Sequence, residues 1–223
     1  MRVPSIFLYL FLCLLATKDV FANEWISRDI AGKSRMTEQG DKNERVLKID
    51  ADCSASGFFK KEYMDASSHP RLSWRWRISN ALAGSDERAE PTDDSAARLL
   101  IFFDAPPPKE NFFSGLRYRL ATSASGGVLP DGPAIAYAWS ETLAPETAIQ
   151  SPFTERVKII VLRGPEDAGK IGSWSFEERD PVRDFKDVFG VEPKGILGFA
   201  VMADTDQTCQ AVTTSFSDVR MSV

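Results

Sequence analysis

The chain of 223 residues contains a single histidine, His69. It stands before Pro70 in the loop SSHPR and reads as a solvated turn residue. A Ser-His-Asp or Cys-His nucleophile would have to use it, and no GxSxG elbow accompanies it. A zinc site built from several histidines is excluded for the same reason. GxGxxG and GxxxxGK motifs are missing, which argues against a nucleotide site. Basic clusters are missing as well: 27 Lys and Arg face 32 Asp and Glu, for a formal net charge of −5, and the basic residues are scattered. Phosphate binding rests on clustered cations, so nucleic acid is not an expected partner. Beyond the first residues no apolar run approaches the roughly 20 residues that a membrane-spanning helix needs.

The start of the chain carries the most specific signal. Arg2 supplies a positive charge, Ile6 to Ala16 is an almost unbroken apolar run, and Val20-Phe21-Ala22 offers small or β-branched residues where a signal peptidase reads. That pattern predicts a secretory signal peptide over residues 1–22 and a single domain over residues 23–223. Cys13 follows Leu12, where a lipoprotein would carry a small residue. Loss of Arg2, Lys18 and Asp19 takes the net charge from −5 to −6. The expected location is the bacterial periplasm or the medium, with no transmembrane segment left after cleavage. Hydrophobic content of 43% is enough for a real core.

Two cysteines remain, Cys53 and Cys209, and an oxidising compartment favours their pairing. Cys53 follows the strand-like run VLKIDA and Cys209 precedes AVTTSFSDVRM. If these strands pair antiparallel, the two cysteines meet at one edge. Two unpaired thiols are the alternative.

The periodicity is that of strands. In Leu72 to Ile78, Leu72, Trp74, Trp76 and Ile78 point one way while Ser73, Arg75 and Arg77 point the other. Strict alternation marks a half-buried strand. Eight similar stretches follow the same logic: 45–51, 55–62, 97–103, 134–140, 156–163, 173–178, 196–203 and 212–221. Nine strands with turn-rich gaps predict an all-β fold, an antiparallel two-sheet sandwich of jelly-roll type. One short helix is expected after Asp180 as cap and Pro181 at its first position, ending at Gly190. A second short helix within 84–96 competes with a loop. The segment 105–133 reads as a Pro-, Gly- and Ser-rich excursion with a strand near 115–120.

Several stretches resemble the bacterial family called domain of unknown function 3047. They are SASGFFKK (54–61), LSWRWRISNALAGSDERAEPTDDSAARLLIFFD (72–104), AIAYAWS (134–140), PFTERVKIIVLRG (152–164), GFAVMADTDQT (198–208) and TSFSDVRM (214–221). The resemblance implies an exported domain of uncharacterised activity and supplies no reaction. The closing phrase is also similar to the last strand of jelly-roll carbohydrate-binding modules.

The richest polar region is Asp93-Asp94-Ser95 followed by Arg98. Its carboxylates could accept hydrogen bonds from sugar hydroxyls, hold calcium through oxygen ligands, or pair with Arg98 or a strand arginine and fix the loop. Asp204-Thr205-Asp206 resembles part of a calcium loop but lacks the glycine and glutamate of an EF-hand, and an Asp turn bonded to its own backbone is the commoner arrangement. Tyr137 and Trp139 share one face of AIAYAWS: exposed they would stack on sugar rings, buried they are core. Ala134, Ala136 and Ala138 on the other face would let the opposing sheet pack closely.

Taken together, no catalytic residue, cofactor or metal is indicated. The expected function is a non-enzymatic binding module for a carbohydrate or other polar ligand. Its site would be Arg75, Arg77 and Arg98 on one sheet face with Asp93, Asp94, Tyr137, Trp139, Asp204 and Asp206. A carboxylate-dependent glycan hydrolase or lyase and a protein-binding envelope component are the alternatives.

Overall fold

The computed structural model describes residues 17–19, 25–40, 45–68, 70–109, 115 and 130–222. Two sheets face each other. The first is built from β1 (Thr17–Asp19), β3 (Arg35–Gln39), β4 (Val46–Asp52), β6 (Arg71–Ile78), β11 (Ser175–Arg179) and β13 (Ala211–Ser222). Its order is β11-β6-β13-β4-β3, with β1 beside the last residues of β13. The second holds β2 (Ile26–Ala31), β5 (Ala55–Asp65), β7 (Ser95–Asp104), β8 (Ala134–Trp139), β9 (Ala148–Gln150), β10 (Val157–Arg163) and β12 (Gly195–Asp204). It runs β2-β5-β12-β7-β8-β10-β9. All pairings are antiparallel except β8 with β10. All nine strands expected from alternation are present, and the architecture is the expected all-β sandwich. His69 and the expected strand near 115–120 fall outside the described residues, Gly115 apart.

The core between the sheets comes from the apolar side of each alternation. Leu72, Trp74, Trp76 and Ile78 of β6 meet Leu99, Ile101 and Phe103 of β7 and Tyr137 and Trp139 of β8. Trp74 stacks on Tyr137 with ring centroids 5.4 Å apart, and Trp76 packs against Trp139 at 5.8 Å. Such rings dominate a core energetically: truncating one to alanine costs roughly 3–5 kcal/mol. The Tyr137 hydroxyl donates to Asp184 Oδ2 at 2.6 Å, and Arg179 Nε donates to the same oxygen at 2.8 Å. A buried phenol needs such a partner, and here it ties the helix to the core.

That helix is α1 (Pro181–Phe189), which forms as its sequence signals require. The Asp180 side chain accepts from the Arg183 amide, Pro181 opens the first turn, and Gly190 closes it at φ 73°. A left-handed cap is where glycine carries no steric penalty. Phe185 seats the helix against Phe103 at a centroid distance of 4.3 Å. Within 84–96 only a single 3-10 turn forms, Glu90–Thr92, so the loop prevails over the helix there.

The disulfide between Cys53 and Cys209 is present, closing a sequence separation of 156. The reason is the antiparallel pairing on which the expectation was conditioned. β4 and β13 pair antiparallel from Ala211↔Asp52 to Ser217↔Val46, which sets the end of one beside the start of the other.

Candidate functional site

A sheet in an antiparallel sandwich ordinarily turns one polar face to water. The seven-stranded sheet departs from that rule. Its inner residues join the core, yet its outer face is also apolar: Phe59, Phe102, Ala134 and Ala200 form one buried cluster, and Ala136, Ala138 and Ile159 another. The three alanines of β8 therefore face away from the opposing sheet, which corrects the expectation that they pack against it. Tyr137 and Trp139 take the inner side, with exposures of 0% and 2%, and belong to the core. They are not positioned to stack on a ligand.

Over this outer face lies a cleft of about 410 Å³. Its floor is Phe59, Leu100, Phe102, Ala136, Ile159 and Met202, contributed by β5, β7, β8, β10 and β12. Ile30 of β2 stands on one side, and Ser151, Phe153 and Thr154 of the β9–β10 turn on another. Asp93, Arg98, Asp204, Asp206 and Gln207 form its polar part. Arg98, Leu100 and Phe102 follow one another along the outer side of β7, so the charged group closes one end of an apolar trough.

A β-bulge sets up that end. Met202 pairs with Arg98 but Asp204 pairs with Ser95, so β7 carries one residue more than β12 over this stretch. Ala96 and Ala97 both face the core, two successive residues on one side. The bulge turns the start of β7 so that Asp93 curls over Arg98. The Arg98 guanidinium donates through Nη2 to the Asp93 carboxylate and to its carbonyl oxygen at 3.3 Å, and through Nη1 to Asp204 Oδ2 at 3.3 Å. Arg98 is 8% exposed, as is Asp204.

Burial pushes the Asp204 carboxyl well above the usual carboxylate range; Arg98 pulls it down, and the adjacent Asp206 carboxyl raises it further. Asp93 is raised for the same first reason, with Arg98 opposing. Behind them Glu87, fully buried and accepting from Ser140 Oγ at 2.7 Å, is also raised by burial. Desolvation tends to lower the Arg98 pKa, but Asp93, Asp204 and Glu87 outweigh it and keep the guanidinium charged.

Asp94 has a different task. Its Oδ1 accepts from the Gln207 amide at 3.1 Å and its Oδ2 from the Thr208 amide at 2.6 Å, with the Thr208 hydroxyl on the same oxygen. It pins the 205–208 turn from behind and does not line the cleft. Oxygens of Asp94, Asp204 and Asp206 lie within 4.8 Å of one another. A cation there would compete with two backbone amides for Asp94 and with Arg98 for Asp204, so the group is poorly suited to a metal.

Arg75 and Arg77 lie elsewhere. They extend from the outer face of the six-stranded sheet, on the opposite side of the molecule from Arg98. Arg75 pairs with Asp218, its Nε 2.6 Å from Oδ2, and both guanidiniums lie over the Trp174 ring, at 5.6 and 4.9 Å. The expected single face holding all three arginines does not exist. What the sequence reading missed is the apolar floor. Its signal is the run AARLLIFF, apolar at both phases of the alternation, which implies a second apolar surface behind the core-facing one.

The family model described as "Protein of unknown function (DUF3047)" matches residues 23–220. Among curated proteins none matches the chain. Similar solved structures include a family 11 carbohydrate-binding module of a Clostridium thermocellum cellulase, with TM-score 0.46 and 11% identity over 94% of this chain and 95% of that one. The Trichoderma harzianum endoglucanase 3 of family GH12 gives 0.45 and 9% over 94% and 96%. The xyloglucanase domain of a Sinorhizobium fredii effector gives 0.44 and 8% over 94% and 98%. At these scores the likeness is one of sandwich outline, and the chemistry rests on the cleft itself.

Proposed function

This chain belongs to the DUF3047 family, and we propose that it is an exported, non-enzymatic binding module that takes a carbohydrate in the cleft of the seven-stranded sheet. The observation that carries the reading is an apolar trough closed at one end by Arg98, Asp93, Asp204 and Asp206. Sugar rings present apolar C–H faces and hydroxyls at their edges. The floor suits the first, while Gln207, Ser151, Thr154 and the acidic end offer partners to the second. Export is supported by the apolar start of the sequence, by the Cys53–Cys209 bridge and by a family match that begins at residue 23. Among the described residues no helix is long and apolar enough to cross a membrane.

Binding is favoured over hydrolysis by where the acids stand. Glycosidases place two carboxyls on either side of the scissile bond. Here the acids among the described lining residues, Asp93, Asp204 and Asp206, gather with Arg98 at one end.

A thermal-shift screen of oligosaccharides tests the reading, using wild type, Leu100→Trp to fill the cleft and Arg75→Ala on the opposite face. A ligand that binds only the folded state raises the melting temperature. The expected result is a rise with one saccharide class, lost in Leu100→Trp and kept in Arg75→Ala. No rise with any saccharide, or a rise that survives Leu100→Trp, overturns the proposal.

A further inference from the structure

The charged end of the cleft holds more carboxyl groups than cations. Asp93, Asp204 and Asp206 line it and Glu87 stands behind, whereas Arg98 is the one cationic side chain among the described lining residues. An arginine at the end of a cleft usually suggests an anionic ligand. This arginine is already engaged: its two terminal nitrogens are held by Asp93 and Asp204. A carboxylate or phosphate entering the cleft would have to displace one of these and then lie beside the other.

Two acceptors are left over, against one donor, the Arg98 Nε–H. Asp204 Oδ1 and Gln207 Oε1 are both buried and neither receives a hydrogen bond. Asp204 is 8% exposed and lines the cleft, as does Gln207. An unmatched buried acceptor is costly. With acceptors outnumbering that donor and three lining carboxyls facing one cation, the complementary group donates hydrogen bonds and carries positive charge. An ammonium does both: it offers three donors and no acceptor. The aliphatic floor beside it, Leu100 and Met202, lowers the local dielectric and strengthens the attraction.

We infer that the saccharide taken by this cleft carries a free amine, seated against Asp204 and Gln207. This rests on the carbohydrate reading above and specifies the charge of the ligand. A uronic acid is disfavoured by the same carboxyls, and an N-acetylated sugar forfeits both the charge and two donors.

The test is isothermal titration of the mature protein with four oligosaccharides of equal length: glucosamine, N-acetylglucosamine, glucose and galacturonate oligomers. The glucosamine oligomer is expected to bind about tenfold more tightly than the N-acetylated one, as one charge-assisted hydrogen bond implies. The galacturonate oligomer is expected to give no heat of binding. Asp204→Asn removes the preference, and Asp206→Asn, at a more exposed site, weakens it should Asp204→Asn fold poorly. Equal or tighter binding of the N-acetylated or glucose oligomer overturns the amine inference and leaves the carbohydrate reading intact. A preference for glucosamine that persists in Leu100→Trp reveals general attraction to an acidic protein and also overturns it. Binding of none of the four defeats both readings.

Discussion

Replacing both bridge cysteines, Cys53→Ser with Cys209→Ser, tests how the sandwich is held closed. The bridge spans 156 residues of sequence. Its native neighbourhood is secure without it: β4 and β13 pair over seven positions, and the Cys53 amide donates to the Gln210 carbonyl at 3.0 Å. Removal therefore acts on the unfolded chain, which regains the freedom of one long loop. Loop-closure entropy for that length gives a loss of about 5 kcal/mol as an upper value. With a urea dependence of roughly 3 kcal/mol per molar for a domain of this size, the midpoint falls by about 1.5 M. Equilibrium urea unfolding of the oxidised wild type and the double variant, followed by tryptophan fluorescence, reads this directly. A midpoint shift under about 0.3 M would refute the reasoning, because it would mean that the unfolded chain gains little from release of the loop.

Two further predictions concern buried polar groups. A carboxyl whose folded pKa is raised binds its proton more tightly in the native state, so it adds stability at low pH that is lost as pH rises toward the folded pKa. Asp204 is such a group; Asp204→Asn should therefore gain melting temperature relative to wild type as pH goes from 4 to 7, and a pH-independent difference would contradict the assignment. Tyr137→Phe removes the hydroxyl that donates to Asp184. A hydrogen bond to a charged group implies a loss of about 1.5–3 kcal/mol in unfolding free energy, and an unchanged urea midpoint would show that Arg179 alone satisfies Asp184.

Alternation is plainest in strands with one dry and one wet face, whereas β7, β8 and β12, buried on both faces, read as continuous apolar runs. β6 alternates without a break because Leu72, Trp74, Trp76 and Ile78 enter the core while Arg75 and Arg77 meet water. β2 and β3 are edge strands, and almost every residue of Ile26–Ala31 is exposed, so burial left no alternation to find. β9 has three residues, too few for a pattern. The helix was legible because both caps are local chemistry.

The site was half legible for a related reason. Asp93, Arg98, Asp204 and Asp206 stand out as polar residues beside apolar strands. Alternation fixes a residue's face relative to its own strand and says nothing of which sheet that strand joins. Arg75 and Arg98 therefore look equivalent in sequence but lie on opposite sides of the molecule. The cleft floor escaped because Leu100 and Phe102 read as ordinary core beside Leu99 and Ile101. Only the sheet order reveals that nothing of the six-stranded sheet lies on their side.

That alternation also supplies the most direct test of the central claim, that ligand sits on the outer face of the seven-stranded sheet. Methyl resonances would be followed by NMR during titration with a saccharide that stabilises the protein. The account predicts shifts at Leu100, Val157, Ile159 and Met202, which line the cleft, with little change at their core-facing neighbours Leu99, Ile160 and Val201. Shifts concentrated at Val46 or Val212 on the six-stranded sheet, with the four cleft methyls unmoved, would contradict it.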